Sequence, residues 1–212
     1  EWWVQDFSSC FALNNIDERI LNKKCIDICA APGGKAFQIL SKKKDLVLND
    51  ISKKRLKILK TNLKRLNFSA KVTNIDIAKF DNKQKFDFII IDSPCSSIGT
   101  IRKNPEIFFK QKGPNFKSLI KIQKMMLNQA ADMLCSNGII LYMVCSFLKT
   151  ETFDQIEDFL KNNIDFSRFE FNLKKNANNK HFIKNNMMSI LPTQMNKFNI
   201  DGYFAVFLKK NK

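Results

Sequence analysis

Cys25-Ile26-Asp27-Ile28-Cys29-Ala30-Ala31-Pro32-Gly33-Gly34-Lys35 decides the fold. Its first half is an apolar run of strand length, and its second half is a turn of small residues that leads into a helix. Small side chains and two glycines let a ligand approach the backbone there. Free amides at the start of the helix favour an anionic group such as a carboxylate or a phosphate. The loop has neither the Gly-x-Gly-x-x-Gly spacing of dinucleotide folds nor the Gly-x4-Gly-Lys-Ser/Thr spacing of nucleoside triphosphatases. A cofactor different from either is implied.

Outward from this stretch, apolar runs alternate with amphipathic ones in the order of βαβ units, which predicts an α/β fold: a mostly parallel sheet with helices on both faces. Seven strands are expected, at Cys25 to Ala30, Leu46 to Asn49, Lys71 to Ile75, Phe86 to Asp92, Ile139 to Cys145, Phe166 to Phe171 and Tyr203 to Leu208. The clearest helix runs from Ser52, a candidate cap, to Leu66, with Leu56, Leu59, Leu63 and Leu66 on one stripe. A second helix spans Leu119 to Leu134, and a third follows Lys149 with Thr150 as its expected cap. Lys and Asn dominate Asn172 to Asn199, which holds the single histidine, His181, and reads as a long surface loop.

The chain has 212 residues, 44% of them hydrophobic, enough for one substantial core and one domain. No apolar run approaches the roughly 18 residues of a membrane span, and Glu1-Trp2-Trp3 does not open a signal peptide, so a cytoplasmic protein is expected. Six cysteines sit in apolar or motif segments rather than in a disulfide framework. Cys25 and Cys29 have a spacing that zinc tolerates but lack a second pair, so no metal site is expected. A net charge of +16 points to a polyanionic partner, because clustered cations release counterions from phosphates. Lysine-rich coding bias is the bland alternative.

Asp50, Asp76 and Asp92 stand at the carboxyl ends of successive expected strands, where a doubly wound sheet opens its ligand crevice. Asp50 lies about where such folds hold ribose hydroxyls, and Asp76 one strand further, where an adenine could lie. Each could instead cap the next helix. Cys95, in Asp92-Ser93-Pro94-Cys95, and Cys145, in Tyr142-Met143-Val144-Cys145-Ser146, leave the sheet on the same rim. Two such thiols suggest nucleophilic chemistry, although either alone reads more simply as a small buried residue.

With these segments in place, the chain resembles the catalytic domain of the Sun/NSUN (Fmu-like) family of RNA cytosine-5 methyltransferases. The likeness spans Val4-Gln5-Asp6, Asp27–Lys35, Asn49-Asp50-Ile51, Leu63–Leu66, Asp92–Thr100, Ile101–Pro105, Val144-Cys145-Ser146 and Asp201–Phe204. It implies a Rossmann-like class I methyltransferase fold. It also implies that Cys29, Ala30, Ala31, Pro32, Gly33, Gly34 and Lys35, with Asp50, Asp76 and Asp92, hold S-adenosylmethionine. Cys145 would attack carbon 6 of cytosine, Cys95 would assist loss of the carbon-5 proton, Asp92 would bond the base near N3, and Lys35 would orient the ring.

The target would be a single-stranded or flipped-out cytosine, most simply in ribosomal RNA, with transfer RNA as the alternative. Arg102 and Lys103 are the candidates for gripping the adjacent phosphate, against the simpler reading of a solvated basic turn. Val144, Ser93 and Lys149 depart from the family's usual Thr, Ala and Pro without removing a reacting group. The family commonly adds an RNA-binding domain, so this monomer is expected to be a fragment of a longer protein. A non-catalytic RNA-binding or assembly factor on the same fold, and a methyltransferase acting on DNA or protein, are the rival readings.

Overall fold

Ile89, Ile90 and Ile91 are wholly buried in the middle of the sheet, which is why a strand at this position is continuously apolar rather than alternating. The computed structural model describes residues 2–42, 45–81, 83–109, 113–173, 177–195 and 198–211. Parallel strands β1 (Cys25–Asp27), β2 (Val47–Asn49), β3 (Lys71–Thr73), β4 (Phe86–Asp92) and β5 (Leu134–Val144) lie in the order β3-β2-β1-β4-β5. Strand order reverses between β1 and β4, and a ligand crevice opens at the carboxyl ends of strands at such a switch. Beyond β5 the sheet turns antiparallel. β9 (Tyr203–Lys210) pairs with β5, with β6 (Phe166–Phe169) and with β8 (Met187–Ile190), and β7 (Ile183–Lys184) pairs with β8.

Two apolar layers cover the faces. Phe88 and Ile90 of β4 and Leu141 and Met143 of β5 pack toward α1 (Phe7–Asn14), α2 (Gly34–Leu40) and α3 (Lys53–Arg65). Ile89, Ile91, Ile140 and Tyr142 pack the other way, toward α4 (Phe116–Met133) and α5 (Phe153–Asn162). Each fully buried isoleucine stabilises the fold by roughly 1.5–3 kcal/mol relative to exposure.

Ser52 caps α3 as its position predicts, its side chain accepting from the Arg55 amide at 3.3 Å. Leu56, Leu59 and Leu63 are buried along its stripe, and Lys64 and Arg65 stand in the last turn, where cations suit the helix dipole. Asn67 then takes a left-handed φ of 53°, and the Asn67 and Phe68 amides return to the Lys64 and Leu63 carbonyls at 3.2 and 2.9 Å. That pattern is the Schellman stop.

Three expectations change. The sheet has nine strands among the described residues, not seven. Within Asn172 to Asn199, expected as loop, lie β7 and β8 with Met187, Met188 and Ile190 buried; residues 174–176 and 196–197 of that stretch lie outside the described ones. Asn185 and Asn186 turn this hairpin with φ of 51° and 57°, the paired positive values a two-residue turn demands. Thr150 does not cap α5. It sits inside a 3-10 turn, Lys149–Glu151, and the helix starts after Thr152, whose hydroxyl donates back to the Leu148 carbonyl at 2.8 Å.

Candidate active site

The Asp27–Lys35 segment leaves β1 and wraps a cavity of about 230 Å³ at the switch point. Cys29, Ala30, Ala31, Pro32, Gly34 and Lys35 line it, with Asp92 from β4 and Gln5 and Asp6 from the N-terminal segment. Gly33 has another task. Its φ is +121°, and a Cβ there would stand 2.1 Å from the Phe37 ring, so only glycine lets the loop turn over that buried phenylalanine.

Asp27 also faces the cavity and is 1% exposed. Burial, reinforced by Asp92, pushes its carboxyl up to about 7. Asp50 and Asp76 are not among the cavity walls. Asp50 is buried behind the loop, where its carboxylate accepts from the Ala31 amide at 3.2 Å and the Ser52 amide at 2.9 Å and pairs with Arg55 at 3.3 Å. Asp76 caps a 3-10 turn through the Ala78 amide at 3.1 Å.

Cys95 and Cys145 meet on the rim with their Sγ atoms 3.3 Å apart. The hydrogen bond from Cys95 is the first cause holding the Cys145 thiol below its ordinary range, and the Ser97 hydroxyl at 3.5 Å and the charge of Lys35 act in the same direction, against burial. The same bond, with burial, drives Cys95 well up. Of the two thiols Cys145 is therefore the one that ionises first. Ser97 takes a left-handed φ of 60°, uncommon for a non-glycine residue and tolerated where surrounding structure imposes it.

Gly99 makes the approach of the two loops possible. Its amide donates to the Cys145 carbonyl at 3.0 Å and its carbonyl accepts from Gly202 at 2.7 Å. A Cβ on Gly99 would lie 2.0 Å from the Gly202 oxygen.

Between cavity and sulfurs stands a charged trio. Lys35 Nζ is 2.6 Å from Asp92, the Tyr203 hydroxyl donates to the other Asp92 oxygen at 2.7 Å, and the ammonium lies 5.2 Å from the Tyr203 ring centre. Burial, then Asp92, raises Tyr203 well above an ordinary phenol, so it acts as a donor.

Arg102 and Lys103 are neither free nor simply solvated. Lys103 lies 3.0 Å from Asp6 and 2.7 Å from Asp201, and Arg102 lies 3.3 Å from Asp201 and 3.8 Å from Asp6. They tie the N-terminal segment to the loop before β9, while 33% and 44% of their side chains stay exposed. Sequence reasoning left Asp27 and Tyr203 without a role, although both fall inside segments that carried the resemblance.

Among the described residues no group of three or more His, Cys, Asp or Glu is arranged to hold a metal ion, and all six cysteines are free thiols. No helix among those residues is long and apolar enough to cross a membrane.

The family described as 16S rRNA methyltransferase RsmB/F matches residues 13–209. Ribosomal RNA small subunit methyltransferase B of Photorhabdus laumondii is 36% identical over 167 residues, covering 76% of this chain and 39% of that protein. Probable ribosomal RNA small subunit methyltransferase B of Bacillus subtilis is 31% identical and covers 98% of this chain and 47% of its own length. The chain thus spans less than half the length of these curated relatives. In fold it is similar to the crystal structure of NSun6 from Pyrococcus horikoshii with SFG, with a TM-score of 0.80 at 24% identity over 99% of this chain and 53% of that one.

Proposed function

Because this chain belongs to the 16S rRNA methyltransferase RsmB/F family, which matches it over residues 13–209, we propose that its cleft methylates carbon 5 of a cytosine in small-subunit ribosomal RNA with S-adenosylmethionine. The observation that carries this reading is the Cys95–Cys145 pair, 3.3 Å apart, in which Cys145 is held down and Cys95 is driven up. A binding scaffold has no use for a thiol held down beside a thiol held up.

The cavity residues fit the cofactor by charge. Asp27 and Asp92 put two carboxylates on the walls of a cavity of about 230 Å³, complementary to a cation bearing an ammonium and a sulfonium. S-adenosylmethionine supplies, when bound, the electrophilic methyl group. Asp50 keeps lone-pair capacity on the oxygen that accepts only from Ser52, which suits a ribose hydroxyl once Arg55 shifts. Asp76 is assigned to the adenine end, one strand further along.

Cys145 adds to carbon 6 of the cytosine, and the electron pair of the 5,6 double bond makes carbon 5 nucleophilic. Asp92 and Lys35 border both the cavity and the sulfurs, so they face the ring and stabilise charge that develops near N3. Cys95 gives up its own proton to solvent and then takes the carbon-5 proton, and the electron pair of that C–H bond re-forms the double bond and expels Cys145 as a thiolate.

RNA is given access on the Cys95 side, where a second cavity of about 460 Å³ is lined by Cys95, Ser97, Asn104 and Ile107. Phe108 and Phe109, next along the chain, are 65% and 81% exposed, and exposed rings on a chain of charge +16 suit stacked single-stranded bases. Arg102 and Lys103, on the same segment, contribute their exposed edges to a neighbouring phosphate. A ribosomal RNA substrate puts the work in the cytoplasm, done by one copy of the chain as a single catalytic domain.

The test is a trapped adduct. Cys95→Ala is incubated with S-adenosylmethionine and total cellular RNA and run on a denaturing gel. A protein–RNA species that vanishes in Cys95→Ala/Cys145→Ala is expected, and its RNA names the substrate. No adduct from a variant that binds both ligands would overturn the proposal.

A further inference from the structure

Ser96 and Ser146, the residues that directly follow the two cysteines, are bound to one buried carboxylate. Glu151 ends the 3-10 turn Lys149–Glu151 and is 0% exposed. One of its oxygens accepts from the Ser96 amide at 2.8 Å and Gln123 Nε2 at 3.2 Å. The other accepts from the Ser96 hydroxyl at 2.6 Å and the Ser146 hydroxyl at 2.6 Å. Gln123 is itself held, donating to the Pro94 carbonyl at 3.0 Å and accepting from Gln155 at 3.3 Å.

A buried acid among neutral donors demands an explanation, because desolvating a carboxylate opposes folding unless its lone pairs are all satisfied. An apolar side chain could fill the same space. Here the bonds go instead to the residues that neighbour the two sulfurs, on loops that leave different strands. Backbone bonds from Gly99 to the Cys145 carbonyl at 3.0 Å and from Ser93 to the Met143 carbonyl at 2.9 Å join the same loops, and Glu151 adds the only carboxylate among the described residues that takes a hydroxyl from each of them.

We infer that Glu151 is a positioning residue that fixes the distance between the Cys95 and Cys145 sulfurs by gathering Ser96 and Ser146 onto one carboxylate. The inference deepens the methyltransferase reading and rests on it for its purpose, but the geometry it asserts concerns the thiols alone. Glu151 touches neither sulfur, and its positioning effect passes through the two serines; its charge also raises Cys95 through space, a contribution that Glu151→Gln removes while keeping the bonds.

The experiment therefore uses neither RNA nor cofactor. Iodoacetamide alkylation of the full chain is followed over pH, with Cys95 and Cys145 distinguished by peptide mass. Lys35, Asp92, Tyr203, Ser97 and Cys95 all face Cys145 and are common to every variant compared. In the wild type Cys145 is expected to react faster than Cys95 at neutral pH. In Glu151→Ala this preference is expected to fall at least fivefold, with the Cys145 midpoint moving toward that of a free thiol. Glu151→Gln is expected to restore it, since the amide oxygen still accepts from Ser96 and Gln123 while rotating serine hydroxyls accept from the amide nitrogen.

A folded Glu151→Ala protein that keeps the wild-type preference would overturn the inference. If that variant does not fold, Ser146→Ala, which leaves three donors on the carboxylate, takes its place with the same expectation and the same overturning result. Adduct trapping with unchanged thiol preference in the variant sinks only the positioning role. A lost preference without adduct trapping in Cys95→Ala sinks only the methyltransferase reading.

Discussion

The Cys95 and Cys145 sulfurs lie 3.3 Å apart although the residues come from loops after different strands, β4 and β5. The contact divides their chemistry. Because the bond from Cys95 is the first cause that holds Cys145 down, Cys95→Ala should raise the pH at which Cys145 becomes reactive. Alkylation of Cys145 in that variant should slow several-fold at pH 7 and recover above pH 9, and an unchanged profile would contradict a thiol held down by its neighbour.

Asp27 makes both stability and cofactor binding depend on pH. Its carboxyl is raised from 3.8 to about 7, so its contribution to stability is fully present below pH 4 and is lost as pH rises through about 7. Melting curves of Asp27→Asn against wild type should shift in favour of the variant between pH 5 and pH 8. S-adenosylmethionine, as a cation, should bind tighter over the same window and release a proton, visible as buffer-dependent binding heat that Asp27→Asn lacks.

Gly99→Ala tests the packing of the two cysteine loops. The added carbon would sit 2.0 Å from the Gly202 oxygen and 2.9 Å from the Cys145 oxygen, both backbone atoms that cannot rotate away. Overpacking of this kind costs about 3 kcal/mol, the upper part of its usual range. A melting temperature within a degree of wild type would show that the loops relax freely.

Phe108 and Phe109 are testable without turnover. Each alanine variant should weaken single-stranded RNA binding by about 1–3 kcal/mol, the usual worth of an aromatic–base stack, while leaving the salt dependence unchanged because no phosphate contact is lost. Fluorescence anisotropy at two salt concentrations measures both quantities. Wild-type affinity in both variants would remove the rings from the RNA path.

What the sequence made legible was local. The strand over Phe86–Asp92, the Ser52 cap and the loop over Asp27–Lys35 follow from runs and caps only a few residues long. The β7–β8 hairpin was missed because its strands are short and its apolar Met187, Met188 and Ile190 sit in a Lys- and Asn-rich stretch, although Asn185-Asn186 was the turn signal to read. Partnerships across the chain were hidden for a different reason. Lys103 finds Asp201, Tyr203 finds Asp92, and Glu151 finds Ser96, pairs that only the closed sheet brings together. The place of Arg102 and Lys103 after the first cysteine loop was legible, but their pairing with Asp6 and Asp201 was not.

The position of β9 sets a timetable for synthesis. This late strand inserts between β5 and β8, and it brings Tyr203 to Asp92 and Gly202 to Gly99. A nascent chain that has emerged only as far as β8 carries both cysteines and the whole cofactor loop, yet the open edge of β5 is unpaired and Asp92 lacks its phenol. Long-range closure of this kind is slow relative to local helix formation. Until β9 pairs, the β5 edge offers unpaired backbone groups, and that edge is where a holdase chaperone would find its grip.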